Sequence, residues 1–216
     1  MKKIKIHVEN LYKTFHEEEV LKGITCDFES GKTHAIVGNN GSGKSVLFKC
    51  ICGFVKPTEG TISIDGKTIG KDVDFPESMG MIIERPGFLP NMSGFRNLKL
   101  LAGIQGKITD AEIRNTILRV GLDPDSKKAA GKYSLGMKQR LGIAQAIMEN
   151  PDLLILDEPF NGLDKKGVRE IRSLIMDLKK EGKTILLTSH NNEDICVLAD
   201  VVWEMDGGFL KAGVSK

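Results

Sequence analysis

Residues 33 to 54 read THAIVGNNGSGKSVLFKCICGF, and the order of the parts decides the fold. THAIV is a short run of mostly apolar and β-branched residues, the composition of a strand buried on both faces. GNNGSGKS, Gly38 to Ser45, comes next, and the apolar segment VLFKCICGF after it reads as a helix. A glycine-rich loop running from a strand into a helix N-terminus turns several backbone N–H groups toward one anion, and the spacing is that of a P-loop. Gly41 and Gly43 let a triphosphate approach the backbone where a side chain would block it. Lys44 is expected to set a point charge against the β and γ phosphates, and the Ser45 hydroxyl to hold Mg²⁺. Gly38, Asn39, Asn40 and Ser42 complete the expected phosphate loop.

Other strand-like runs follow: MGMIIE (79 to 84), LLILDE (153 to 158), TILLTSH (184 to 190) and DVVWEM (200 to 205). Helical stretches lie between them. In 165 to 180, Val168, Ile171, Ile175 and Leu178 form one stripe before Gly182 stops the helix. Strands alternating with helices predict a parallel α/β sheet. The first 30 residues and TISIDGKTI (61 to 69) alternate apolar with polar instead, which predicts a small antiparallel β layer flanking the main sheet. The opening MKKIKIHVEN alternates in the same way and reads as an edge strand, not a secretory leader. From about 86 to 150 the strand signal fades, and TDAEI (109 to 113) offers a capping box in Thr109 and Glu112 ahead of Ile113 and Ile117. That stretch is expected to be an α-helical subdomain inserted into the core. The whole is read as one domain over residues 1 to 216, with the α/β core and β layer in 1–85 and 151–216.

LLILDEP (153 to 159) ends a buried strand in two adjacent carboxylates. Burying an unpaired carboxylate is costly, so two in succession call for a cation, a water network or solvent. Asp157 is expected to hold Mg²⁺ through water, and Glu158 to polarise the attacking water. His190 closes TILLTSH at another strand end. In a parallel sheet the carboxyl ends of neighbouring strands meet in one crevice, so Gly38, Glu84, Glu158 and His190 are expected to converge. The segment YSLGMKQRLGIAQAIM (133 to 148) places Ser134 and Gly136 just ahead of a helix with the stripe Met137, Leu141, Ala144 and Met148. Its free N–H groups are either an anion site or simply capped by Ser134.

Together these strings resemble the nucleotide-binding subunits of ABC transporters over essentially the whole chain. GNNGSGKS resembles the Walker A motif, LLILDE the Walker B motif and SLGMKQ (134 to 139) the signature motif. NGLD (161 to 164) resembles the D-loop, and the Ser-His pair ending at His190 the switch histidine. The resemblance implies a P-loop NTPase fold that hydrolyses ATP with Mg²⁺ in a head-to-tail dimer. It implies that Lys44, Glu158 and His190 are catalytic, and that Ser134 and Gly136 contact the γ-phosphate of ATP held by the opposite subunit. Asp164 joins the nucleotide-binding set, and Ser45, Glu84 and Asp157 are the implied metal ligands. Phe15, in NLYKTF, matches the aromatic that stacks on adenine, with Tyr12 as a rival and core packing as the plain alternative.

Two departures stand out. Glu84 occupies the place of the family's Q-loop glutamine, giving Mg²⁺ an anionic ligand in place of a neutral one. Leu135 and Met137 stand where the usual LSGGQ has Gly and Gln. ERPGFLPNMSGFRNL (84 to 98) is similar to the bacitracin and lantibiotic resistance branch, which implies export of a peptide antibiotic, drug or lipid-like substrate. Within it Phe88, Leu89, Met92 and Phe95 are either a docking surface for a helix of a membrane subunit, near residues 85 to 100, or the core of the insertion.

Lys plus Arg is 31 against 29 Asp plus Glu, so a net charge of +2 lacks the broad footprint of a nucleic-acid binder. No run approaches the roughly 18 apolar residues of a membrane helix. A membrane role therefore has to pass through a separate polytopic permease, with this chain cytoplasmic and peripheral on the inner face of the cell membrane. Cys26, Cys50, Cys52 and Cys196 lack metal-type spacing and read as reduced, mostly buried thiols. Whether the dimer is a homodimer or a heterodimer stays open. A soluble ABC ATPase acting off the membrane is the second class, although such proteins usually carry coiled coils or two nucleotide domains. A P-loop kinase has no use for SLGMKQ.

Overall fold

The computed structural model describes residues 4–84 and 86–213. Met1–Lys3 of the opening strand and Arg85 of the expected docking stretch lie outside the described residues. One sheet is built from β1 (Ile6–Phe15), β2 (Glu18–Phe28), β4 (Glu59–Ile64) and β5 (Lys67–Thr68), antiparallel in the order β2-β1-β4-β5. The other is built from β3 (Thr33–Val37), β6 (Met79–Ile82), β7 (Leu153–Leu156), β8 (Thr184–Leu187), β9 (Val201–Asp206) and β10 (Phe209–Ala212). Its order is β10-β9-β3-β8-β7-β6, parallel except for β10 against β9. This is the α/β architecture with a flanking antiparallel layer.

The central strands read as continuous apolar runs because alternate residues serve two cores. Ile36, Leu153, Ile155 and Leu186 face a cluster shared with the antiparallel sheet and α1 (Lys44–Ile51). Ala35, Leu154, Leu156, Ile185 and Leu187 face a second cluster on the opposite side. That cluster takes in α2 (Gly94–Gln105), α3 (Asp110–Arg119), α4 (Leu135–Ile147), α5 (Lys165–Lys180) and α6 (Asn192–Leu198). Between β6 and β7 the chain is helical. The capping box of α3 is present: the Glu112 N–H donates to Thr109 Oγ1 at 3.3 Å and the Thr109 N–H to Glu112 Oε2 at 2.7 Å.

The stripe expected on α4 is only part of its buried surface. Leu141, Ala144 and Met148 are buried and Met137 packs against the same cluster, but Gln139, Gly142, Ile143, Ala146 and Ile147 are buried as well, because α4 is packed between α3 and β6. Contact with β6 is close enough that a Cβ on Gly80 would lie 1.7 Å from the Ala146 carbonyl oxygen. On α5 three of the four expected residues, Ile171, Ile175 and Leu178, are buried with Leu174 added, while Val168 is half-buried.

One expectation is corrected. β1 is not an edge strand, since Ile6 pairs with Phe28 on one side and with Ile64 on the other. Its alternation reflects one solvated face, with Ile6, Val8 and Leu11 turned into the core, and says nothing about an open edge. β10 was not legible as a strand, although Gly207 and Gly208 mark the turn that leads into it. Cys26, Cys50 and Cys52 are buried, which pushes their thiols up to about 12, about 11 and about 12, away from reactivity at neutral pH. Cys196 is exposed.

Candidate functional site

β3 delivers the chain to Gly38, and α1 starts at Lys44 with Gly43 as its cap at φ 108°. No side chain caps that helix, so its first N–H groups stay open to an anion. Gly41 has φ 79° and a Cβ there would meet nothing within 4 Å, so glycine is required by the left-handed turn and not by packing. Lys44 is buried, and its Nζ donates to the carbonyls of Gly38 at 2.7 Å and Asn39 at 2.8 Å. Burial holds its pKa below the usual lysine range, against the pull of Glu158 and Asp157. Asn39 and Asn40 are exposed on the loop, whereas the Ser42 hydroxyl is buried without a hydrogen-bond partner.

Ser45 Oγ donates to Asp157 Oδ2 at 2.6 Å, joining the start of α1 to the end of β7. Asp157 is buried, and its other oxygen accepts from Thr188 Oγ1 at 2.7 Å. The Glu158 N–H donates to the same hydroxyl at 2.8 Å. His190 Nε2 lies 3.3 Å from Glu158 Oε1, yet that buried oxygen has no aligned hydrogen-bond donor. Burial pushes the Glu158 pKa up, opposed by His190 and reinforced by Asp157.

A cleft of about 280 Å³ runs from Gly41, Lys44 and Ser45 to Asp157, Glu158 and His190. A second cavity of about 470 Å³ shares both carboxylates and is closed by Glu84, Leu135, Gln139 and Gly162. Of the four residues expected to converge, Glu84, Glu158 and His190 line these two adjoining spaces, and Gly38 lies behind them as the acceptor of the Lys44 Nζ bond. Glu84, at φ 62°, pairs with Lys49 Nζ at 2.5 Å, one helical turn beyond Ser45 on α1. The oxygen donors Ser45 and Asp157 suit a small hard cation that takes most of its remaining ligands from phosphates and water. Among the described residues no group of three His, Cys, Asp or Glu could form a protein-only metal cage.

Three of the expected residues sit elsewhere in the subunit. Ser134 and Gly136 are at the start of α4, where Ser134 Oγ accepts from the Met137 N–H at 3.2 Å as a helix cap. Leu135 lies over the D-loop glycine: a Cβ on Gly162 would come within 2.5 Å of Leu135 Cγ, and one on Gly136 within 2.7 Å of the Gly162 carbonyl oxygen. Asp164 caps α5, its Oδ1 accepting from the Gly167 N–H at 2.7 Å. Phe15 is 41% exposed at the end of β1 with Lys13 Nζ 4.7 Å from its ring centre. Its rival Tyr12 is packed over Gly23. Of the four apolar residues after Glu84, Phe88 and Phe95 pack against the helical core, while Leu89 and Met92 are exposed. Sequence reasoning missed the partners Thr188, Lys49 and Gln139. Thr188 was readable from its place in TILLTSH beside the carboxylate strand, but Lys49 and Gln139 carry no spacing signal of their own.

An open helix start beside a half-buried carboxylate, one oxygen of which has no aligned hydrogen-bond donor, accommodates a phosphate chain with room for a water molecule, on the sheet of a P-loop nucleoside triphosphatase. The model of the ABC transporter family matches residues 21–161. Over 206 residues the chain is 46% identical to the uncharacterized ABC transporter ATP-binding protein YybJ of Bacillus subtilis, covering 95% of this chain and 94% of that one. It is 42% identical to the bacitracin transport ATP-binding protein BcrA of Enterococcus faecalis, covering 95% and 67%. It is 36% identical to the lantibiotic transport ATP-binding protein SrtF of Streptococcus pyogenes, covering 96% and 87%. A dimeric ATP-binding cassette in a post-hydrolysis state bound to ADP and Pi shares the fold, with a TM-score of 0.87 over 96% of this chain and 97% of its own at 21% identity. The chain belongs to the ABC transporter family, as an ATP-binding subunit with ATPase activity.

Proposed function

We propose that this subunit powers export of a peptide antibiotic, drug or lipid-like substrate through a separate polytopic permease, at the inner face of the cell membrane. It acts as a single domain over residues 1 to 216, with a helical subdomain at about 86–150, and pairs head to tail with a second nucleotide-binding subunit. The observation that supports pairing is the position of Ser134 and Gly136 at the start of α4, outside the lining of their own subunit's phosphate cleft. In this reading that helix start serves a nucleotide held by another copy. The bacitracin and lantibiotic transport relatives support the cargo class.

In this reading Gly38–Ser45 wrap the phosphates, Lys44 neutralises their developing charge, and Phe15 stacks on the base. Glu158 takes the proton of the attacking water, with His190 beside it to orient the γ-phosphate. Ser45, Asp157 and Glu84 are the residues that would hold Mg²⁺, which when bound supplies charge neutralisation at the β and γ phosphates. Ser134, Gly136 and Asp164 complete the site on the opposite subunit.

Docking of the permease is placed on the exposed apolar residues near 85–100, of which Leu89 is the clearest. Its backbone is held by the buried Asn97, whose Oδ1 accepts from the Leu89 N–H at 2.8 Å, so the side chain is free to change. Leu89→Ser is expected to shift stability by less than about 0.5 kcal/mol and leave basal ATPase intact. Phe88→Ser, on the core side, should cost about 2 kcal/mol. Co-expressed with its permease, the tagged wild-type chain should sediment with membranes and protect cells against the cargo antibiotic. Leu89→Ser should lose both properties. A wild-type chain that stays in the soluble fraction beside its permease would favour action off the membrane.

A further inference from the structure

We infer that Gln139 is a positioning residue for hydrolysis: from the signature helix it clamps the backbone of Glu158 within the same subunit. The inference rests on the reading of Glu158 as the group that accepts the water proton. Gln139 lies in the first turns of α4 and is only 5% exposed. Its Nε2 donates to the Glu158 carbonyl oxygen at 3.2 Å. Glu158 itself has φ 49°, a left-handed conformation that a glutamate keeps only when its surroundings hold it there.

Three bonds do the holding, and they differ in reach. The Asn161 N–H donates to the Glu158 carbonyl at 3.2 Å, but it belongs to the same turn and moves with it. The Glu158 N–H donates to Thr188 Oγ1, which ties the turn to the neighbouring strand end. Gln139 supplies the bond that crosses to α4. A buried amide is an expensive way to fill space, since an apolar residue of the same shape would pack there without desolvating polar atoms. What the amide adds is direction. It fixes the carbonyl of Glu158, and so the plane of the peptide from which the carboxylate projects into the cleft.

The placement gives the clamp a second consequence. Ser134 and Gly136 open the same rigid helix that carries Gln139. A shift of that helix start is therefore transmitted to Glu158 through one hydrogen bond. The signature segment in this way acts on its own subunit's water-activating carboxylate, besides any contact it makes to a nucleotide on another copy.

Gln139→Met keeps nearly the same volume and removes the donor, and Gln139→Glu puts an acceptor against the carbonyl. Both are expected to slow single-turnover ATP hydrolysis about 10- to 100-fold, the loss that a misplacement on the order of 1 Å produces. In Gln139→Met, ATP affinity, read with a fluorescent analogue, and the thermal midpoint should stay at wild-type values, whereas Gln139→Glu, which buries a carboxylate, should melt lower. In a Glu158→Gln background Gln139→Met should add no further loss. Wild-type hydrolysis in both variants overturns the inference. So does a parallel fall of rate, affinity and midpoint in Gln139→Met, which marks a packing residue, or a full additional loss in the Glu158→Gln background. If Glu158→Gln alone turns over at the wild-type rate, the reading of Glu158 fails first and the clamp has nothing to position.

Discussion

Lys44→Ala should bind ATP at least about a hundredfold more weakly than wild type and show no measurable hydrolysis. A hydrogen bond from a charged group contributes about 1.5–3 kcal/mol, and two such bonds to phosphate oxygens amount to about two factors of ten or more in affinity. The structure adds a second loss. Lys44 Nζ spans the Gly38 and Asn39 carbonyls, so its removal leaves the loop's own acceptors without their donor and relaxes the arch that presents the N–H groups. It also removes a cation from beside Asp157 and Glu158, which pushes the Glu158 pKa further up. Titration calorimetry with Mg-ATP measures the effect. An affinity within a few fold of wild type would take Lys44 out of the phosphate site.

Glu158→Gln should retain ATP affinity and lose about 10²- to 10⁴-fold in hydrolysis, the range for removing a general base. Because hydrolysis then no longer dissolves the nucleotide sandwich, ATP should drive dimerisation of this variant, visible by sedimentation. Ser134→Arg in the same background should abolish the dimer. Since Ser134 also caps α4, Ser134→Ala serves as the control that loses the hydroxyl, and with it the cap at about 1 kcal/mol, without adding bulk or charge at the interface. Dimerisation that survives Ser134→Arg would remove the signature turn from the interface.

The pH dependence follows with a definite sign. Burial raises the folded-state pKa of Glu158, so hydrolysis should climb with pH through a midpoint above the ordinary glutamate value. The folded protein holds this proton more tightly than the unfolded chain does. Its stabilising contribution is full below the unfolded pKa and is lost as pH rises through the folded pKa. Glu158→Gln, which carries no such proton, should therefore melt higher than wild type above that folded pKa, with the gap closing at acidic pH.

The glycine loop, the alternation of strands and helices in an α/β sheet and the paired carboxylates were legible because each is a local string with a physical purpose. THAIV and LLIL announced burial on both faces, and Thr109 with Glu112 announced a helix start. Edge and centre of the small sheet were not legible, because the alternation of Ile6, Val8 and Leu11 reports which face is dry and not which strand lies alongside. The same limit hid Lys49 from Glu84 and Gln139 from Glu158, since those pairs are made by packing of α1 and α4 across the sheet. The apolar run after Glu84 carried no information on direction, and only the fold separates inward Phe88 from outward Leu89.

The contact of Leu135 with Gly162 ties two motifs together sterically. Leucine at 135 occupies the space that any Cβ at 162 would need, and Gly162 at φ 75° supplies both the room and the backbone turn. Grafting a two-glycine signature into this chain would leave Gly162 open to solvent. Grafting a D-loop with a side chain at 162 would collide with Leu135. In this chain a side chain at 162 therefore has room only if residue 135 changes as well.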